Sequence, residues 1–294
     1  MHHPVKSLPL ISVVLPVRYV HEDWLRQSIE SVLNQDYPNK ELIVVNDEAT
    51  QDIDGLIQEY RIRKYIKNDR NRKLPYSLNR GFEQAEGELH TWTSSDNYML
   101  PGMLSRLSRP LIDHPEISII FGSYKYANDA GILEGDCRAS FRAACRQANI
   151  NPVDFVIPGR WTYFATLGAA FLYRRAVFET LSGYNERLHG AEDYDFWIRA
   201  SSSFRIAHLS LEEEPLYVYR LHEHSISNTT PGCFTTSRLK VLARQFLRQP
   251  GQWLLAKSFA VYSRLLLMSS IRQICHRLLK MLKRSGPQTK HLNR

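Results

Sequence analysis

The stretch Leu89-His90-Thr91-Trp92-Thr93-Ser94-Ser95-Asp96-Asn97 decides how this chain reads. Its first half is apolar, aromatic and β-branched. Its second half is small and polar and carries one carboxylate, Asp96. Pro101 follows, and helical spacing resumes near Met103. The pattern predicts a buried strand, a loop and a helix. In open α/β sheets ligands gather outside the carboxyl ends of the strands. Asp96 then has two readings. It caps the helix or makes an Asx turn, or it holds a divalent cation that also binds phosphate, since magnesium usually takes one or two carboxylates plus phosphate oxygens.

Working outward, the flanking segments repeat that design. Leu10–Val17 is an apolar run suited to a strand buried on both faces, with Pro16 near its end. Glu22 and Asp23 open a helix whose Trp24, Leu25, Ser28, Ile29, Val32 and Leu33 share one face. Asp36-Tyr37-Pro38-Asn39 breaks the chain, and Glu41–Asp47 is a second buried strand ending in a carboxylate. A helix over 52–60, a short strand over 63–66 and a helix over 74–85 complete a doubly wound pattern. Beyond the opening stretch, strands are predicted over 117–122, 165–173 and 215–220, with a short helix ending at Gly183. Between about 131 and 160 the periodicity weakens: a helix over 138–148, or a loop over a site. Three carboxylates, Glu192, Asp193 and Asp195, crowd the start of a helix, as capping alone would explain. The strand over 215–220 delivers Arg220, His222, Ser225 and Ser227, a denser polar cluster than a structural histidine needs.

Bulk properties set the class. The 294 residues are 43% hydrophobic and 23% charged, ordinary for a globular α/β protein. Cys137, Cys145, Cys233 and Cys275 have neither CxxC nor metal-ligand spacing, which predicts reduced thiols and a cytoplasmic protein. Met1-His2-His3-Pro4 does not read as a signal peptide. The net charge of +8 is uneven. After Glu223 there is no acidic residue, and Ser225–Arg294 carries 13 of the 38 Lys and Arg side chains. The preceding 224 residues balance 25 basic against 30 acidic groups, a net −5. The expected layout is an acidic catalytic body over 1–228, with a nucleotide-binding half to about 130 and an acceptor half over 131–228, then a basic helical extension over 229–294.

That extension interleaves Trp253, Leu254, Phe259, Tyr262 and many leucines with Lys257, Arg264, Arg272, Arg277 and Lys280. Between Gln252 and Arg284 the longest charge-free interval, Leu265–Ile271, is far short of the roughly 20 residues a membrane span needs. Two readings remain: helices packed on the catalytic body, or an interfacial anchor on the anionic inner face of the membrane. No nucleic-acid module precedes the tail, so no nucleic-acid partner is expected.

Asp47, Asp96, Asp193 and His222 fall at what read as successive strand ends. Together with Ser12-Val13-Val14-Leu15-Pro16, Ser28–Pro38, Glu41–Asp47, Leu78-Asn79-Arg80-Gly81, Ala85-Glu86-Gly87-Glu88, Glu192-Asp193 and Arg220-Leu221-His222, that order resembles the family 2 glycosyltransferases over about residues 10–228. The resemblance implies a GT-A fold: a doubly wound, mostly parallel sheet flanked by helices. It implies inverting transfer of a sugar from a nucleoside diphosphate sugar, with UDP the favoured nucleotide, to a glycan or lipid-linked acceptor in cell-surface polysaccharide or glycan synthesis. Pro16, Val17 and Asp47 would line base and ribose, with Ser95 and Arg220 also on the donor. Asp96 and His222 would hold a divalent Mg²⁺ or Mn²⁺ ion. Asp193, with Glu192 second, would be the catalytic base. Two positions depart from the pattern. Ser95 stands where relatives usually carry an acid, and Asp47-Glu48-Ala49 stands where Asp-Gly-Ser is common. Ser95 also keeps an alternative open, a catalytically degenerate protein that binds sugar nucleotides without transfer.

Overall fold

The computed structural model describes residues 7–151, 155–157, 167–188, 190–225 and 231–248 and the single positions 258, 260 and 263, with backbone only over 231–235. Two compact units divide the chain, Met1–Thr229 and Thr230–Arg294.

The first unit opens with the predicted alternation: β1 (Ile11–Val17), α1 (Glu22–Leu33), β2 (Lys40–Asn46), α2 (Asp54–Glu59), β3 (Lys64–Lys67), α3 (Leu74–Glu83) and β4 (Leu89–Trp92). All seven residues of β1 are buried, so it packs on both faces. Ile11, Val13, Leu15 and Val17 face Leu25, Ile29 and Val32 of α1 and Leu104 and Leu107 of α4 (Met103–Asp113). Burying three such α1 side chains contributes roughly 1.5–3 kcal/mol each. On the other face α3 lies against Val14. A Cβ at Gly81 would sit 2.5 Å from Val14 Cγ1, so only glycine lets that helix approach. The chain continues through β5 (Tyr98–Met99), α4, β6 (Ile117–Phe121), β7 (Tyr124–Ala127), β8 (Leu133–Asp136), α5 (Arg138–Ala148), β9 (Val156–Ile157), β10 (Phe171–Arg174), α6 (Arg175–Leu181), α7 (Glu192–Ser201), β11 (Arg205–His208) and β12 (Tyr217–Arg220).

An eight-stranded sheet runs in the order β3-β2-β1-β4-β10-β6-β11-β9. Its strands are parallel except β10, antiparallel to β4 and β6, and β9, antiparallel to β11. The strand order reverses between β1 and β4, which pair in parallel. Loops leaving such a pair diverge to opposite faces and open a crevice at their carboxyl ends. A second sheet of four strands, β5-β12-β7-β8, carries the segment after β4 and returns β12 to the same place.

Of the two readings for 131–160, the helix over 138–148 is the one found, as α5, preceded by β8, while 152–154 and 158–160 lie outside the described residues. Other expectations change. The strand predicted over 165–173 begins at Phe171 among the described residues. Asp193 does not end a strand: it occupies the first turn of α7. The second unit contains α8 (Pro231–Arg248). Nearly all of the expected helical tail from Gln252 onward lies outside the described residues. Among the described residues no helix is long and apolar enough to cross a membrane.

Candidate active site

The crevice is built around Asp96. β4 ends at Trp92, and the next residues turn through Ser94 and Ser95 before β5 starts at Tyr98. Backbone and side-chain bonds hold that loop from three directions. Ser28 of α1 donates its hydroxyl to Ser94 C=O at 2.9 Å. Ser95 donates to Tyr19 C=O at 3.0 Å, joining the loop to the segment after β1. Asn97 Oδ1 accepts the Arg220 backbone N–H at 2.7 Å, joining it to β12.

Two residues beyond β12, His222 Nε2 lies 2.9 Å from Asp96 Oδ2, with the imidazole almost fully buried and the carboxylate 23% exposed. The Ser225 hydroxyl accepts the His222 N–H at 3.2 Å and fixes the turn. Tyr19 and Trp24 flank the imidazole, with ring centroids 5.9 and 5.0 Å away. Asp96 Oδ1 is buried and has no hydrogen-bond partner among the described residues. A buried carboxylate oxygen without a partner is costly unless something else binds it.

Arg220 is more committed than the sequence implies. Its guanidinium donates to Asp96 C=O and, at 2.9 Å, to Gln27 Oε1, and it lies 4.6 Å from the Trp24 ring centre. Burial pulls its pKa below the usual arginine range. Arg220 thus braces the Asp96 loop against α1. Tyr19, Trp24 and Gln27 were not legible as site residues. Trp24 and Gln27 sit three apart on α1, a spacing that core packing explains equally well.

Asp47 follows β2, and its N–H bonds Val17 C=O at 2.9 Å, so Pro16, Val17 and Asp47 do adjoin. The Asp47 carboxylate, only 3% exposed, accepts Asn68 Nδ2 and the Arg72 N–H at 2.7 Å and the Lys73 N–H at 3.0 Å. Lys73 has φ +75°, a region that is strained for a side-chain-bearing residue. Asp47 therefore holds the 68–73 loop in a shape it would not keep alone.

Glu192 and Asp193 form a second cluster at the start of α7. Glu192 is buried and accepts the Gly190 N–H at 2.6 Å. Burial first, then the neighbouring Asp193 charge, raise its pKa to about 7. Asp193 is half-buried, and its Oδ1 lies 2.6 Å from the Tyr194 N–H. The approach to α7 is pinned by Asn79, whose amide bonds Tyr184 C=O at 2.9 Å and accepts the Tyr184 N–H at 2.7 Å. Tyr184 receives a hydrogen bond from Trp92 Nε1 at 3.1 Å, which links this cluster to the end of β4.

The sequence profile of glycosyl transferase family 2 matches residues 12–182, more than half of the chain. The chain belongs to this family. Proteins of similar sequence include an uncharacterized glycosyltransferase of Rickettsia felis, 28% identical over 243 residues, covering 76% of this chain and 37% of that protein. A putative glycosyltransferase, EpsH, of Bacillus subtilis is 26% identical over 227 residues, covering 74% and 62%. The chain thus spans only part of these relatives. Among solved structures, S. aureus TarS 1-349 in complex with UDP-GlcNAc superposes with a TM-score of 0.66 at 20% identity, covering 86% of this chain and 71% of that one. The mannosyltransferase PcManGT from Pyrobaculum calidifontis in complex with GDP-Man and Mn²⁺ gives 0.60 at 14% identity, covering 92% and 81%. At these identities the likeness shows the fold alone, a GT-A arrangement.

The residues fit a divalent ion. Asp96 offers a buried oxygen without a partner, and His222 offers an imidazole beside it. Among the described residues no group of three or more His, Cys, Asp and Glu side chains is placed to enclose a cation. Phosphate oxygens and water would therefore complete the shell, the usual manner of Mg²⁺ or Mn²⁺ in phosphate sites.

Proposed function

We propose that this family 2 glycosyltransferase moves a sugar from a UDP-sugar to an acceptor hydroxyl with inversion, in the synthesis of a cell-surface polysaccharide or related glycan, and that a divalent metal at Asp96 and His222 binds the donor. The observation that carries the reading is Asp96 Oδ1, a buried carboxylate oxygen with no partner among the described residues, just beyond the carboxyl end of β4. The UDP-GlcNAc complex of TarS and the GDP-Man and Mn²⁺ complex of PcManGT support it as ligands of similarly folded proteins.

In this reading Pro16, Val17 and the loop held by Asp47 line the nucleoside. A metal bound at Asp96 would neutralise the departing diphosphate as a Lewis acid. Arg220 keeps Asp96 in position and adds positive charge nearby. Asp193 takes the proton of the acceptor hydroxyl. It suits a base better than Glu192 because Glu192 is buried, whereas Asp193 is half-exposed and open to an acceptor hydroxyl. Residues 131–228 supply the acceptor half. The extension over 229–294 brings the enzyme to the anionic cytoplasmic face of a membrane, where a lipid-linked acceptor would lie. Its charge supports this. So does α8, whose outer face carries Lys240, Arg244 and Arg248 beside an exposed Leu247.

Calorimetry of UDP binding with and without Mn²⁺, for wild type and Asp96→Ala, tests the metal. Wild type should bind at least about tenfold tighter with Mn²⁺, a difference of roughly 1.4 kcal/mol. The variant should lose that gain. Equal affinity in all four conditions would overturn the metal assignment. Turnover of a nucleotide-sugar panel separates a transferase from a protein that only binds.

A further inference from the structure

The second sheet carries a row of tyrosines that the donor site does not use. β12 and β7 pair in parallel with Tyr217 opposite Tyr124 and Tyr219 opposite Tyr126, so all four side chains share one face. Alternation along β12 sends Arg220 the other way, to Gln27 and Trp24 of α1. The row begins inside the active site. The Tyr217 hydroxyl bonds Thr93 Oγ1 at 2.8 Å, one residue past the end of β4, and its ring is buried. From there the row opens: Tyr124, Tyr126 and Tyr219 are half-buried. Their ring centres lie 5.3 Å apart for Tyr124 and Tyr126, and 6.4 Å for Tyr126 and Tyr219, edge to face in both cases. The Tyr124 and Tyr126 hydroxyls are 3.3 Å from each other. Gly168, at φ +77°, passes directly over Tyr124, where a Cβ would come within 2.4 Å of the ring.

We propose that Tyr126 and Tyr219, supported by Tyr124, form the subsite that holds a sugar ring of the acceptor. The inference rests on the proposed transfer reaction and names the acceptor class for that site: a glycan chain or glycoside, rather than a bare lipid or protein hydroxyl. A pyranose has an apolar C–H face and a rim of hydroxyls. Half-exposed tyrosines match both, with ring faces for the C–H bonds and phenolic groups for the rim. A core that only needed filling would be met by phenylalanine, with no hydroxyls to satisfy. Continuity decides between donor and acceptor. Inversion requires the acceptor to approach opposite the leaving diphosphate. The row leads away from the β4 end along β7, on the sheet face that Arg220 does not occupy.

The test is binding of the full chain to a printed glycan array, for wild type and for Tyr126→Ala, Tyr219→Ala, Tyr126→Phe and Tyr219→Phe, with UDP affinity measured in parallel. Wild type should retain a subset of glycans. Each Ala variant should weaken that retention about tenfold or more, and the Phe variants, which keep the stacking face, should lose less than about threefold. Equal retention by wild type and both Ala variants overturns the subsite. So does a wild type that binds UDP but retains no glycan. If an Ala variant also loses UDP, its fold is damaged and the Phe variants decide: a loss as large as that of Ala refutes stacking. A wild type that retains glycans but binds no nucleotide would sink the transfer reading instead.

Discussion

Asp47→Ala separates two roles for the same side chain, contact with the nucleoside and support of the 68–73 loop. The buried carboxylate accepts three hydrogen bonds, from Asn68 Nδ2, the Arg72 N–H and the Lys73 N–H. Hydrogen bonds to charged groups contribute about 1.5–3 kcal/mol each, though bonds sharing one acceptor group do not add fully. Removal also leaves donors unpaired and frees the strained Lys73 backbone to relax. A loss of about 3–5 kcal/mol is expected. With a urea dependence of about 3 kcal/mol per molar, the unfolding midpoint should fall by roughly 1–1.7 M. Asp47→Asn keeps the shape but must turn an NH₂ group toward one of the three donors, so about half that loss is expected. UDP affinity should fall with the loop, and only in proportion to its disorder. An Asp47→Ala protein with an unchanged urea midpoint and abolished UDP binding would refute the argument and make Asp47 a direct ligand.

Three other outcomes follow from the site and the tail. Glu192 is an acid whose folded pKa, about 7, exceeds its ordinary value of 4.5, so the folded state holds the proton longer. Stability should decline as pH rises from about 4.5 to 7, and Glu192→Gln should flatten that slope in thermal unfolding; an identical slope in the variant rules the assignment out. Asp193→Asn should keep UDP affinity within about twofold and lose about 10²–10⁴-fold in transfer rate, and near-normal turnover would remove it as base. The full chain should pellet with anionic vesicles but not with neutral ones at low salt. Charge reversal at Lys240, Arg244 and Arg248 should weaken that association, since each basic group near the surface contributes about 1 kcal/mol; equal pelleting with both vesicle types would retire the membrane reading.

The sequence by itself determined the first half of the molecule. β1, β2 and β4 are buried on both faces, and their apolar runs announce it. The alternation of strand and helix placed α3, and the need for Gly81 is visible once Val14 lies beneath it. Asp96 and His222 were each legible at the end of a predicted strand segment, the family resemblance linked them, and the fold brings them to 2.9 Å. The tertiary structure alone decided the rest. The four-stranded sheet is built from strands of two to four residues, too short to show a period, and β12 pairs in it with segments about 90 to 120 residues earlier. The row of tyrosines exists only because β12 pairs with β7 in one register. A slip of one residue would turn every ring to the other face. Arg220 read as a donor contact because a strand end says where a side chain starts, whereas its partners Gln27 and Trp24 come from a helix almost 200 residues earlier. Glu192 and Asp193 are adjacent and alike in sequence. Burial is a property of the packed chain, and it is burial that sets Glu192 apart as the carboxyl with the raised pKa.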